Sequence, residues 1–155
     1  MTERAQHNQA SLYKRDFHAW ARQQVRALSE RRIVDVDWAN VAEELDDLGK
    51  SEQKEIRNRL KILLLHLLKW HYQPDARKSG WAASIREQRQ EIADVIDDSP
   101  SLHNEPAMRL DWAYVRARGL ASDETGLPPS TFPDECPYAI DTVLNEDWLP
   151  GADEA

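Results

Sequence analysis

The sequence predicts an all-α protein: an antiparallel bundle of four to five helices with a proline-rich, extended C-terminal segment packed on it. Three observations carry this. Apolar residues recur at spacings of three and four in each long segment before residue 125. No run alternates apolar and polar residues as a half-buried strand does. Beyond Gly126, Pro128, Pro129, Pro133 and Pro137 are too closely spaced for one helix. At 155 residues the length is that of one domain. The expected organisation is a flexible tail over 1–10, a helical bundle over 11–125, and a Pro-rich clasp over 126–155 that contains a short helix.

Phe17, Trp20, Ala21, Val25 and Leu28 form the apolar stripe of a first helix from Leu12 to Leu28. Ser29 to Val36 reads as a charged connection. Asp37 is an N-cap for a second helix, striped by Trp38, Val41, Ala42, Leu45 and Leu48. Gly49 is read as its end, because glycine takes the left-handed cap conformation freely. Ser51 then caps a third helix with Ile56, Leu60, Leu63, Leu64, Leu67, Leu68 and Trp70 on its apolar face, closed by Pro74. At roughly 22 residues and about 1.5 Å per residue, it is about 33 Å long and is the expected central element. Ser79-Gly80 opens a fourth helix with Trp81, Ile85, Ile92, Val95 and Ile96 inward. After a break at Asp98–Ser101, Pro106 sits in the first turn of a fifth helix, the place where proline is tolerated. Leu110, Ala113, Tyr114, Ala117 and Leu120 continue that helix, and Gly126 caps it. In the tail, Phe132, Tyr138 and Trp148 are expected to pack back on the bundle, and Ala139 to Leu144 to form one short helix.

Composition narrows the function. Apolar residues make up 41% and charged residues 31%, and six tryptophans supply large buried areas for a core. A net charge of −8 repels phosphate backbones, which argues against nucleic-acid binding. The single cysteine, Cys136, excludes an intrachain disulfide and a zinc-ligand spacing. Its neighbours Asp134 and Glu135 disfavour a reactive thiolate. Residues 1–10 lack an apolar signal core, and the run Ile62 to Leu68 is too short and too charged at its flanks to span a bilayer. A soluble cytoplasmic protein follows, with no membrane contact.

Several blocks fall into a pattern: Tyr13-Lys14-Arg15-Asp16-Phe17-His18-Ala19-Trp20, Val41 to Glu52, His66-Leu67-Leu68-Lys69-Trp70-His71-Tyr72-Gln73-Pro74, Trp81 to Arg89, Asp98 to Leu102, Glu124 to Leu127 and Cys136-Pro137-Tyr138. In that order they resemble the bacterial family catalogued as domain of unknown function number twenty-nine. The resemblance covers nearly the whole chain. It implies a small all-helical bacterial protein with no established substrate, cofactor or catalytic residue. The sequence departs from the family pattern at Pro106.

Two clusters are candidates for chemistry. The carboxylates Glu43, Glu44, Asp46 and Asp47 suggest a metal site completed by His66 or His71, as in metal-binding bundles. A hairpin about Gly49-Lys50 argues against it: Glu44 would lie level with Glu55, and His66 about eleven positions or roughly 16 Å further along. Lys50, Lys54 and Arg57 are nearer partners, and a solvated acidic face with no metal is the expectation. The second cluster lies where the third and fourth helices reverse near Ala76-Arg77. That reversal sets His66 level with Glu87 or Gln88, and Trp70 with Ala83 or Ser84. A histidine among leucines needs a polar partner if buried. It is then either a satisfied core residue that fixes register, or part of a pocket of His66, Trp70, Gln73, Ser84, Arg86, Glu87, Gln88 and Arg89 for an anion or small molecule. In the pocket reading His66 could serve as acid or base, its ordinary pKa lying near 6.5.

No catalytic motif and no glycine-rich phosphate loop is present, so the sequence identifies no cofactor and leaves enzyme status open. With an acidic surface, action through contact with another protein is the leading expectation. Self-association is compatible with it, and a small-molecule or anion site around His66 and Arg86–Arg89 is the alternative.

Overall fold

The computed structural model describes residues 12–152. The tail expected over 1–10 lies outside them. Among the described residues the chain is helical and has no strand, as the periodicity predicts. It forms two compact units, Met1–Ser51 and Glu52–Ala155.

In the first unit, residues 12–15 are helical and Asp16 interrupts them. The Asp16 carboxylate accepts the Ala19 N–H at 3.0 Å and so caps a new helix, α1 (Phe17–Ser29). The predicted single helix from Leu12 is therefore broken by its own capping residue. A short 3-10 turn, Ile33–Asp35, lies within the charged connection. Asp37 caps the next helix as predicted: its carbonyl accepts the Val41 N–H at 2.9 Å, and its carboxylate takes the Asn40 side-chain amide at 2.8 Å. Three bonds hold the hairpin antiparallel. Tyr13 donates to Glu44 at 2.5 Å, Trp20 Nε1 to Asp37 at 3.1 Å, and the Asp37 N–H to the buried Gln24 Oε1 at 2.7 Å.

The main departure from expectation is at Gly49. It ends nothing: one helix, α2, runs unbroken from Trp38 to Tyr72 over 35 residues. Ser51 is therefore no cap, the hairpin about Gly49-Lys50 does not exist, and Glu44 is not opposed to Glu55. Glycine accepts right-handed helical dihedrals as readily as left-handed ones, and Gly49 does not have a positive φ. The Asp46–Lys50 pair at 2.5 Å bridges the turn across it.

In the second unit, the α2 side chains Ile56, Leu60, Leu63, Leu64, Leu67 and Leu68 are fully buried, as their spacing predicts. They pack with Ile85 and Ile92 of α3 (Ser79–Asp98) and with Ala113, Tyr114, Ala117 and Ala121 of α4 (Glu105–Thr125). Proline-led 3-10 turns at Pro74–Ala76 and Pro100–Leu102 make the reversals. Pro106 is buried in the first turn of α4, and Gly126 closes the helix at φ 72. The segment after it packs on this core as expected: Phe132, Tyr138 and Val143 are buried in it, and Trp148 lies against it. It contains a 3-10 turn at Pro129–Thr131 and a short helix, α5 (Ile140–Leu144).

Candidate functional site

Of the eight residues predicted to share a pocket, His66 and Ser84 are in contact, and several of the others have partners elsewhere. His66 is half-buried. Its Nδ1 lies 2.8 Å from the Ile62 carbonyl, an acceptor, so that nitrogen carries the proton. Ser84 Oγ is 3.5 Å from the same nitrogen. No hydrogen bond from a described residue reaches Nε2. The predicted facing residues, Glu87 and Gln88, are not its partners. The α2–α3 register is three residues off that expectation, as two further facing pairs confirm. Lys69 stands over the Trp81 ring at 4.7 Å, and Arg59 meets Glu91 at 3.3 Å. The Pro74–Ala76 turn sets this offset by moving the reversal toward Asp75.

Arg86 and Glu87 are exposed. Gln88 is buried beside Arg59 at 3.5 Å. Trp70 is covered by the Arg77 guanidinium at 4.8 Å, whose Nε donates to the Trp70 carbonyl at 2.9 Å. The Gln73 amide reaches the Thr125 carbonyl at 3.5 Å, at the end of α4.

Arg89 is turned toward the C-terminal segment. It is 4% exposed, and its Nε donates to the Val143 carbonyl at 2.8 Å while Nη1 reaches the Glu146 carbonyl at 3.5 Å. Burial pushes its guanidinium below its ordinary pKa, and Glu146 offsets part of that. Arg89 is thus the tie between α3 and the end of α5. His71 helps at the other end of the segment: Nδ1 lies 2.8 Å from Tyr138 Oη. Cys136, half-buried, points its thiol at the Tyr138 carbonyl, and burial raises its pKa, with the thiol favoured over the thiolate.

The acidic cluster is distributed along α2. Glu44 accepts from Tyr13, a bond that together with burial raises the Tyr13 pKa to about 12. Asp46 pairs with Lys50, one of the predicted partners. Arg57 instead lies 5.0 Å from the Trp112 ring, which Arg116 covers at 3.9 Å. Among the described residues no three His, Cys, Asp or Glu side chains converge.

A built concavity lies in the first unit. A groove of about 500 Å³ runs between α1 and the start of α2, with an apolar lining of Phe17, Val25, Leu28, Val41, Leu45 and Leu48. Trp20 and Gln24 also border it, and Glu44 and Asp47 stand on its α2 side. Five of the apolar side chains are 45–65% exposed: Phe17, Val25, Leu28, Leu45 and Leu48. A second depression, lined by Arg22, Gln23 and Arg26 with Ala19, meets the groove at Val25. The groove is therefore apolar along its length, with arginines beside its α1 edge and carboxylates beside its α2 edge. These are the residues that the periodicity assigned to core stripes. Periodicity identifies an apolar face; it carries no information on what covers it.

A family model, described as a domain of unknown function, DUF29, matches residues 12–149. No curated protein and no solved structure matches the chain. The match spans both compact units and continues to Leu149, close to the end of the described residues, so the chain belongs to the DUF29 family.

Proposed function

We propose that the chain is a protein-interaction module whose groove between α1 and the start of α2 receives an amphipathic helix from its partner. One observation supports this above the others: five large apolar side chains around one groove are about half exposed or more. An apolar groove between two helices fits the i, i+3, i+4, i+7 anchors of a third helix. Contiguous exposed apolar surface with a charged border is typical of binding sites. The bacterial cytoplasm is the proposed setting, supported by the family resemblance and the lone cysteine.

The alternative, a small-molecule or anion site around His66 and Arg86–Arg89, draws support from His66 Nε2, to which no described residue is bonded. Against it, Arg89 is engaged with the C-terminal segment and Arg86 stands apart in solvent.

The test is a photo-crosslinking amino acid placed at Leu45 in the full chain, expressed in its native cell, with the same group at Met108 as control. Met108 is 69% exposed and lies in the second unit. An adduct to one polypeptide from position 45, absent from position 108 and lost with Val25→Glu, is the expected result. No polypeptide adduct at position 45 would refute the interaction reading.

A further inference from the structure

We infer that the groove is covered by the α1–α2 hairpin of a second copy of this chain, in a two-fold dimer; this rests on the reading of the groove as an interaction site. The first argument is the poverty of the unit's own core. Among its described residues only Trp20, Gln24, Ala27 and Val36 are buried, while Ile33, Val34 and Trp38 join the five groove side chains in being exposed. With so few buried apolar side chains, the two helices of this unit have little apolar area to hold them together without a partner surface. The chain's single cysteine lies at 136, outside this unit.

The second argument is charge. Helix α1 carries Arg22 and Arg26 and no carboxylate. The first eleven residues of α2, 38–48, carry Glu43, Glu44, Asp46 and Asp47 and neither Lys nor Arg. One arm of the hairpin is basic and the other acidic, with an apolar groove between them. A two-fold axis along such a groove sets the basic arm of each copy against the acidic arm of the other, and does so twice. The hairpin is thus complementary to itself. Arg22, Arg26, Glu43 and Asp47 form no salt bridge with a described residue, so all four are available to a partner.

The experiment uses two variants of the full chain in sedimentation equilibrium at low salt. One carries Arg22→Glu with Arg26→Glu, the other Glu43→Arg with Asp47→Arg. Because these side chains make no bonds within the hairpin, each variant is expected to keep the wild-type circular dichroism. Wild type is expected to dimerise, and each variant alone to dissociate with a Kd raised about tenfold or more. Mixing the two is expected to restore a heterodimer, since both arm pairs are then again of opposite sign. A wild-type monomer at about 100 µM, well above a micromolar Kd, overturns the inference. So do variants that dimerise unchanged, or a mixture that stays monomeric. The photo-crosslink at Leu45 separates this failure from failure of the interaction reading. An adduct to a different polypeptide with a monomeric wild type removes the second copy and leaves the module. No adduct and no dimer removes both.

Discussion

Replacing Gly49 by alanine is expected to stabilise the protein, because the structure sets this glycine inside α2 and the local sequence would set it at a helix end. An alanine Cβ at Gly49 meets no atom within 4 Å, so nothing is displaced. What remains is backbone entropy and helix propensity, about 0.5–1 kcal/mol in favour of alanine. For a chain of this size each kcal/mol moves the melting temperature by about 2–4 °C, so the rise is about 1–4 °C. Gly126 supplies the opposite sign. Its added Cβ also meets nothing within 4 Å, but its φ is 72. Alanine there incurs the left-handed penalty of about 1–2 kcal/mol with nothing to offset it. Thermal unfolding followed by far-UV circular dichroism reads both variants. Amide hydrogen exchange adds a local readout, since in a continuous helix the N–H groups of Gly49 to Gln53 bond back four residues and are protected. A lower melting temperature for Gly49→Ala, with fast exchange over those five amides, would refute the continuous helix and restore the hairpin.

Two further outcomes follow from the second unit. Arg89→Met removes the donors to the Val143 and Glu146 carbonyls. It should cost about 1.5–3 kcal/mol and expose the segment around α5 to protease. Unchanged urea stability and cleavage would show that Arg89 is no tie. The tyrosines give a pH dependence. Burial raises Tyr72, Tyr138 and Tyr114, the last to about 12, and the hydrogen bond to Glu44 does most to raise Tyr13 to about 12. A raised folded-state value means that the stability is present in full below the unfolded value near 10. It is lost as pH climbs from there through the folded values. All four tyrosines of the chain should therefore lack tyrosinate absorbance at a pH just above 10, at which the urea-unfolded chain titrates. Native and unfolded titration curves that coincide would contradict the burial.

What could be read from residues alone was what a residue or its near neighbours decide. The capping roles of Asp37 and Gly126 and the place of Pro106 were legible, because caps and proline constraints are local. So was the buried face Ile56 to Leu68, where one isoleucine and five leucines at helical spacing leave one way to satisfy the hydrophobic effect. Gly49 was misread because the same freedom that suits it to a cap lets it continue a helix. In the structure the helix continues through it, with Asp46 paired to Lys50 across the turn. The partners expected for His66 were displaced for a similar reason. A shift of three residues in register is most of a helical turn, enough to give His66 to Ser84 and leave Glu87 in solvent. That offset depends on how the Pro74–Ala76 turn folds and not on any spacing within the helices.

The sequence by itself determined the fold class, the apolar faces, the helix ends set by proline and capping chemistry, and the family, because these follow from period and short-range sterics. Tertiary structure alone decided three things. Arg89 lies against the carbonyls of the C-terminal segment and not beside His66. The stripes of α1 and early α2 are left half open around a groove. The carboxylates and arginines near it stand on opposite edges. Burial and opposition are properties of pairs of elements distant in sequence, and a periodic stripe is the same string of residues whether a core or a partner covers it.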